Sequence, residues 1–155
     1  MHKVVIIYDT VYGNTARAAE AIGEGMKEAG LQVELKHVKD VKPEDVTAFD
    51  VIVMGSPTHA GDMSEDMRSF VTGLKGLTLE GKKGAAFDTR YVGEEVGAAV
   101  SMEMSMMELG IDVIVPGSPF WVEGAEGPIV EGELPKCKEF GRAIARKLES
   151  LEQTS

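Results

Sequence analysis

The sequence predicts a doubly wound α/β domain, in which helices cover both faces of one parallel sheet. Three observations support this prediction: short apolar runs recur at wide intervals, runs such as 51–54 contain no polar residue, and the segments between runs repeat apolar residues at helical spacing. Uninterrupted apolar runs are typical of strands covered on both faces. Alternating strands and helices imply parallel strands joined by right-handed crossovers. The 155 residues are enough for one such domain, spanning 1–155.

Each apolar run has the length of a strand. The five predicted strands are Val4–Tyr8, Leu31–Leu35, Val51–Met54, Gly84–Phe87 and Val113–Val115. The second run alternates apolar with polar residues, which indicates a half-exposed strand at an edge of the sheet. The sheet is therefore predicted to be mainly internal.

Four helices are predicted from apolar stripes, and each stripe is expected to face the sheet. The stripes are Ala18, Ala19, Ile22, Met26 and Ala29; Met67, Phe70, Val71 and Leu74; Val96, Val100, Met104 and Met107; and Leu134, Cys137, Ile144, Leu148 and Leu151. Gly30 is placed to end the first helix, and Ser64 to cap the second. Residues 39–48 contain Pro43 and are expected to form only about one helical turn.

Composition excludes several classes of function. The net charge of −10 argues against nucleic acid and anionic lipid as partners. No apolar run approaches the ~20 residues of a membrane helix, and we expect a cytoplasmic protein. Cys137 is the single cysteine and is expected to be a buried, inert thiol. The three histidines lack the spacing of a helical metal pair, so no metal site is predicted.

In a doubly wound fold, ligands bind beyond the carboxyl ends of the strands, where the strand order reverses. Three segments are therefore predicted to hold the functional site: 9–15, 55–63 and 88–94. The glycine-rich segment 116–132 is the one long loop, and its length suggests a surface or site-capping role. Trp121 is expected to pack under that loop.

The segment 9–15 has the features of a phosphate-binding loop. It follows a buried strand and precedes an amphipathic helix, whose first N–H groups have no partner within the helix. Gly13 lets the backbone approach an anion closely, and no lysine or arginine is present. The predicted binding residues are Thr10, Val11, Tyr12, Gly13, Asn14 and Thr15.

With its flanks, the segment from Ile6 to Ile22 resembles the FMN phosphate-binding segment of flavodoxins. The resemblance implies a flavodoxin-like three-layer α/β sandwich with a five-stranded parallel sheet in the order 2-1-3-4-5, and non-covalent binding of FMN. It also implies that two further loops enclose the isoalloxazine ring. Their residues would be Pro57, Thr58, His59, Ala60 and Gly61 after strand three, and Asp88, Thr89, Arg90, Tyr91 and Gly93 after strand four.

These two loops differ in how closely they match the family. The first resembles that of the flavodoxin domain in diflavin-type flavoproteins, with His59 near the place where many flavodoxins have a tryptophan. The second offers Tyr91 as a stacking ring. Arg90 is expected to lie on a solvent-facing loop and to offset the negative charge of the reduced flavin. The alternative is that Arg90 points to solvent or pairs with Glu94 or Glu95.

The resemblance implies a short-chain flavodoxin: an electron-transfer protein with no catalytic residue of its own. We expect redox partner proteins with basic docking surfaces, and a monomer, with a dimer as the other possibility. The alternative is an NAD(P)H-dependent quinone reductase, which the continuation from Gly61 through Ser64 also resembles. A flavin-free interaction module is disfavoured because the phosphate loop is intact.

Overall fold

The computed structural model describes residues 2–153, which form one parallel sheet with helices on both faces. The elements are β1 (Lys3–Tyr8), α1 (Asn14–Glu28), β2 (Gln32–His37), two 3₁₀ segments (Val38–Asp40 and Pro43–Ala48), β3 (Val51–Pro57), α2 (Glu65–Gly73), β4 (Lys83–Tyr91), α3 (Ala98–Glu108), β5 (Asp112–Val113), β6 (Ser118–Val122) and α4 (Glu133–Gln153). The strand order β2-β1-β3-β4-β5 confirms the predicted topology. Within 2–153, no helix is long and apolar enough to cross a lipid bilayer.

The sheet is the middle of three layers. Alternate residues of β1 point to opposite faces: Val5 and Ile7 pack in the cluster that includes α2 and α3, whereas Val4 and Ile6 pack in the cluster that includes α1 and α4. All four side chains are fully buried. Burying a side chain of this size stabilises the fold by about 1.5–3 kcal/mol. The prediction of an internal sheet is confirmed.

The fifth strand differs from the prediction, because it is broken into two pieces. Only Val113 of the predicted run is in β5, and pairing with β4 resumes in β6, from Ser118 opposite Phe87 to Val122 opposite Tyr91. Pro116 has no N–H group to donate to a neighbouring strand. The N–H of Gly117 donates to Glu103 Oε2 of α3 at 2.9 Å. These two residues interrupt the ladder.

A short segment folds back over the outer edge of β6. The N–H of Val130 donates to the carbonyl of Trp121 at 2.9 Å, and the N–H of Glu123 donates to the carbonyl of Pro128 at the same distance. An antiparallel bridge joins Val122 to residue 129. Trp121, expected in a loop, is therefore part of a strand whose far edge is already paired.

The sequence correctly predicted where α1 ends and where α2 begins. Gly30 follows α1 with φ of 93° and donates its N–H to the carbonyl of Lys27, while the N–H of Leu31 donates to Met26. This pattern satisfies carbonyls that the helix leaves open. Ser64 precedes α2 and accepts a hydrogen bond from the N–H of Met67 at 3.2 Å. The segment after β2 forms the two short 3₁₀ segments.

The predicted buried face of α3 is wrong. Val96, Val100, Met104 and Met107 are 58%, 47%, 56% and 59% exposed, and the buried residues are instead Ala98, Ala99, Met102 and Met106. Both sets have helical spacing, so periodicity alone does not choose between them. Two hydrogen bonds settle the choice: the N–H of Ala98 donates to Thr58 Oγ1, and the N–H of Ala99 donates to Asp88 Oδ2.

Helices α1 and α4 are in close contact through two glycines. A Cβ atom on Gly25 would lie 2.1 Å from the carbonyl oxygen of Lys138, and one on Gly141 would lie 2.2 Å from the carbonyl oxygen of Ile22. Both distances are far below van der Waals contact. The two helix backbones therefore touch directly, a feature that the apolar stripes did not predict.

Cys137 is fully buried on α4, as predicted. Burial, together with the nearby Glu133 carboxylate, raises the pKa of the thiol from near 9 to about 12. Because the folded state keeps the proton that the unfolded chain loses above pH 9, this group's contribution to stability falls as pH rises from 9 to 12. We expect the destabilisation between pH 8 and pH 10, measured by urea unfolding, to be about 1 kcal/mol smaller in Cys137→Ala. Equal pH dependence in both proteins would contradict this burial effect.

Candidate functional site

A cleft of about 410 Å³ lies at the carboxyl ends of β1, β3 and β4. Twelve of the sixteen residues predicted to bind a cofactor line it: Thr10, Val11, Tyr12, Asn14, Thr15, Pro57, Thr58, His59, Ala60, Thr89, Arg90 and Tyr91. The structure thus brings the three predicted segments together. Gly13, Gly61, Asp88 and Gly93 do not line the cleft. Glu94, Val122 and Ala125 line it without having been predicted.

The loop before α1 presents N–H groups to one end of the cleft. Gly13 is the N-cap residue of α1 and has φ of 88°. As a glycine, it has no side chain that could cap the N–H groups of the first turn. Its own N–H donates to Thr10 Oγ1 at 3.0 Å. The N–H groups of Asn14, Thr15 and residue 16 lie in the first turn, where no helix carbonyl can accept from them. With the positive end of the helix dipole, they form a site suited to a phosphate.

A buried hydrogen bond ties this helix terminus to β4. The hydroxyls of Thr15 and Thr89 lie 2.8 Å apart, and both residues are buried. In this structure the Thr15 hydroxyl, predicted to contact an anion, has Thr89 as its partner. Because a hydroxyl can donate one bond and accept others, Thr15 can keep this partner and still serve a phosphate.

The predicted capping role of the long loop agrees with its position. Asn14 Nδ2 donates to the carbonyl of Glu126 at 3.2 Å, and Ala125 forms part of the cleft wall. Trp121 does not line the cleft; its ring lies 5.6 Å from the guanidinium carbon of Arg90. The contact between Asn14 and Glu126 could not be predicted from local sequence, since 112 residues separate the two.

The segment after β3 forms a tight hairpin at the cleft. The N–H of His59 donates to the carbonyl of Asp62 at 2.8 Å, and the N–H of Asp62 donates to the carbonyl of His59 at 3.0 Å. The two central residues have positive φ, 51° for Ala60 and 79° for Gly61. Ala60 is the only non-glycine residue of 2–153 in this conformation. Such backbone strain, about 1–3 kcal/mol, concentrates at ligand-binding sites.

The outer end of this hairpin is anchored by Asp62. Hydrogen bonds from Ser101 and Arg68 lower the pKa of its carboxyl group below the ordinary value. Arg68 Nη2 lies 2.6 Å from Asp62 Oδ1, and the N–H of Met63 donates to the same oxygen at 2.7 Å. The hairpin is therefore fixed to both α2 and α3.

Asp9 is a buried carboxylate beneath the phosphate-type loop, which the sequence analysis did not single out. Its Oδ1 accepts the N–H of Thr10 at 2.9 Å, and its Oδ2 accepts the hydroxyl of Ser64 at 2.6 Å. His37 Nε2 lies 3.5 Å from Oδ1. Asp9 thereby connects the loop to the N-terminus of α2 and to β2. Its position directly after a buried strand was the only signal in the sequence.

Arg90 does not lie on a solvent-facing loop, which corrects the prediction. Residues 88–91 belong to β4, and the Arg90 side chain is only 10% exposed. Its Nε and Nη2 donate to the two oxygens of Asp88 at 2.9 and 3.0 Å, and its Nη1 donates to the carbonyl of Glu95 at 3.0 Å. Asp88 is fully buried and also accepts the N–H of Ala99. The pair fastens the loop after β4 to the start of α3 and leaves little net charge in the cleft.

The mouth of the cleft is apolar and aromatic. Val11, Tyr12 and Tyr91 are 57%, 58% and 41% exposed there. These exposed apolar and aromatic side chains lie beside the N-terminus of α1, which is suited to a phosphate. The two features together suit a ligand with a phosphate at one end and a flat ring at the other. Within 2–153, no cluster of three or more histidine, cysteine or acidic side chains could hold a metal ion.

Comparison with known proteins gives two kinds of relative. Residues 5–110 match the model of a flavodoxin domain family. A flavodoxin from Aquifex aeolicus is 33% identical over 159 residues, covering 94% of this chain and 86% of that protein. A protein named NAD(P)H dehydrogenase (quinone) from Gluconacetobacter diazotrophicus is 31% identical over 151 residues, covering 80% of this chain and 74% of that one. A solved flavodoxin structure from the domain Archaea aligns with a TM-score of 0.82 at 29% identity, covering 95% of this chain and 99% of that one.

Proposed function

The chain belongs to the flavodoxin family, and from this premise we propose that it is an electron carrier between redox proteins. Its cofactor is FMN, as in the family. When bound, FMN can take up and give back electrons at its isoalloxazine ring. The observation that carries the proposal is the cleft itself, which joins a helix terminus suited to a phosphate to an open apolar mouth, and whose Arg90 is paired with Asp88.

We assign the phosphate end of the cofactor to the loop before α1. The N–H groups of Asn14 and Thr15, with the hydroxyls of Thr10 and Thr15, would hold the phosphate through neutral donors and the helix dipole. The absence of a cation from this loop is compatible with such a site, because each hydrogen bond to a charged group contributes about 1.5–3 kcal/mol. The buried bond between Thr15 and Thr89 keeps the donors in place.

The ring of FMN would lie between the two remaining loops. Tyr91 offers an aromatic face at the mouth of the cleft, and His59, in the hairpin after β3, also lines the cleft. Offset aromatic contacts are worth about 0.5–1.5 kcal/mol beyond the area that they bury. The ion pair of Asp88 with Arg90 would position the Tyr91 loop without placing a net charge beside the ring.

The second candidate is an NAD(P)H-dependent quinone reductase. Relatives named NAD(P)H dehydrogenase (quinone) support it, as does the hairpin with its continuation into α2. A carrier is favoured because two charged side chains of the cleft wall already have partners within the protein. Glu94 accepts the N–H of Tyr91 at 3.0 Å, and Arg90 is paired with Asp88. We further propose a cytoplasmic monomer, in line with its single buried thiol.

Reduction kinetics separate the two candidates. For a carrier, we expect NADPH alone to reduce the FMN-loaded protein slowly or not at all, and a flavodoxin reductase with NADPH to reduce it rapidly. The catalysed rate should fall roughly tenfold between about 0.02 M and about 0.5 M salt, because salt screens the attraction between an acidic carrier and a basic partner. Anaerobic stopped-flow absorbance measures both rates.

The same instrument provides the control and the contrary result. Neutral sucrose at matched viscosity should leave the catalysed rate nearly unchanged, so that a salt effect reports charge. Rapid reduction by NADPH alone, followed by turnover of a soluble quinone, would favour the reductase.

A further inference from the structure

The large apolar side chains exposed within residues 2–153 fall into two groups. Three of them, Val11, Tyr12 and Tyr91, are at the mouth of the cleft. The other five form a stripe that starts in the loop after β4 and follows α3. These five residues, the α3 stripe, are Val92, Val96, Val100, Met104 and Met107.

The α3 stripe is continuous with the cleft. The carbonyl of Val96 lies 3.6 Å from the position of a Cβ on Gly61, in the hairpin next to the cleft. Val96 lies just before the helix. Val100, Met104 and Met107 then share one helical face, so this part of the stripe extends about 10 Å along α3. A helix that is apolar on its outer face as well as on its inner face is normally covered on both.

The surroundings of the stripe are acidic. Between Arg90 and Lys136 the chain contains no lysine, arginine or histidine, and it contains nine acidic residues. Glu95, in the loop before α3, and Glu108, the last residue of α3, are exposed and form no ion pair within 2–153. A surface with this pattern attracts a partner that has an apolar centre and a rim of lysine and arginine.

A second copy of the chain fits this surface poorly. In an antiparallel pair of α3 helices, Glu95 of each copy would approach Glu108 of the other, and in a parallel pair each glutamate would approach its equivalent. Like charges across an interface oppose association in both arrangements. The negative surface also opposes anionic lipid.

We propose that the α3 stripe is the docking surface for a redox protein with an apolar centre and a basic rim. This inference rests on the proposed carrier function and adds to it the location of the contact. Docking along α3 would place the partner against the mouth of the cleft. The apolar stripe would slow dissociation, and Glu95 and Glu108 would accelerate encounter.

The first test compares the FMN-loaded protein with the double variant Val100→Ser, Met104→Gln. With a purified flavodoxin reductase as the probe and limiting protein concentrations, we expect the second-order rate of reduction to fall at least tenfold. FMN affinity and the rate of reduction by dithionite should be unchanged, because neither residue lines the cleft. Equal catalysed rates in the two proteins would overturn the docking surface.

The second test uses two variants with the same net charge. Glu95→Gln with Glu108→Gln removes charge beside the stripe, whereas Glu20→Gln with Glu149→Gln removes the same charge from exposed positions on α1 and α4. We expect the first pair to lower the rate at low salt at least threefold more than the second pair, and to weaken the salt dependence. Equal effects would contradict a local role for Glu95 and Glu108.

Other occupants and the failure of the proposed function give different results. A dimer in light scattering that the Val100→Ser, Met104→Gln variant converts to a monomer would replace the redox partner with a second copy. Cosedimentation with phosphatidylcholine vesicles that depends on the same two residues would replace it with lipid. If the reductase does not reduce the unchanged protein, the carrier function itself falls, and this proposal falls with it.

Discussion

Replacing Gly13 with aspartate is expected to lower the affinity for FMN at least 100-fold. Gly13 has φ of 88°, and a side chain there costs about 1–2 kcal/mol of backbone strain. The carboxylate would also face the phosphate: two charges ~5 Å apart repel by about 3 kcal/mol at an effective dielectric constant of ~20. Since 1.4 kcal/mol is a factor of ten, the charge term alone predicts about two orders of magnitude. Quenching of flavin fluorescence on titration of the apoprotein measures the affinity.

Two controls separate charge from backbone strain in this experiment. A Cβ on Gly13 would have no atom within 4 Å, so Gly13→Ala adds strain without a collision. Gly13→Asn has the shape of aspartate without its charge, and asparagine tolerates positive φ better than most residues. We expect both controls to stay within about tenfold of the unchanged protein. If Gly13→Asp binds FMN as tightly as Gly13→Asn, the phosphate does not lie beside Gly13.

Replacing Gly141 with alanine is expected to destabilise the apoprotein by about 3 kcal/mol or more. The new Cβ would lie 2.2 Å from the carbonyl oxygen of Ile22, and both groups belong to helix backbones that cannot move independently. Helices α1 and α4 would have to separate, at the usual cost of overpacking. Glycine to alanine normally stabilises a helix interior by about 1 kcal/mol, so the sign of the effect is informative.

Gly23→Ala is the matched control for the helix contact. It lies in the interior of α1, and its Cβ would meet Leu35 Cδ1 at 3.0 Å, the end of a flexible side chain. We expect its free energy of unfolding in urea to change by less than about 1 kcal/mol. A stabilising Gly141→Ala substitution would show that α1 and α4 are not in backbone contact.

The parts of the fold that were predicted correctly depend on local signals. Gly30 and Ser64 mark helix ends through hydrogen bonds to residues three to five positions away, so neighbouring residues are enough to identify them. The predicted buried face of α3 was wrong because the rotation of this helix depends on Thr58, just after β3, and on Asp88 of β4, which are distant in sequence. The break in the fifth strand depends likewise on Glu103 accepting the N–H of Gly117.

The candidate site also has features set by neighbouring residues and features set by residues distant in sequence. The loop from Thr10 to Thr15 is contiguous, and its chemistry can be read from its own residues. The burial and pairing of Arg90 cannot be read from its neighbours in the same way, because they depend on the buried Asp88 and on a carbonyl in the next loop. That the binding residues of the three loops contact FMN stays a prediction, which the Gly13 variants test for one of them.

The segment that folds back over β6 has a consequence for behaviour at high protein concentration. Exposed strand edges are templates on which other chains can add strands and aggregate. Here the outer edge of β6 is already paired by residues 128–130. The opposite edge, β2, carries Glu34 and Lys36, and charged residues on an edge strand discourage added strands. The β6 part of one edge and the β2 edge therefore resist intermolecular β-pairing, and we expect the folded protein to remain free of amyloid-type association through these strands when it accumulates.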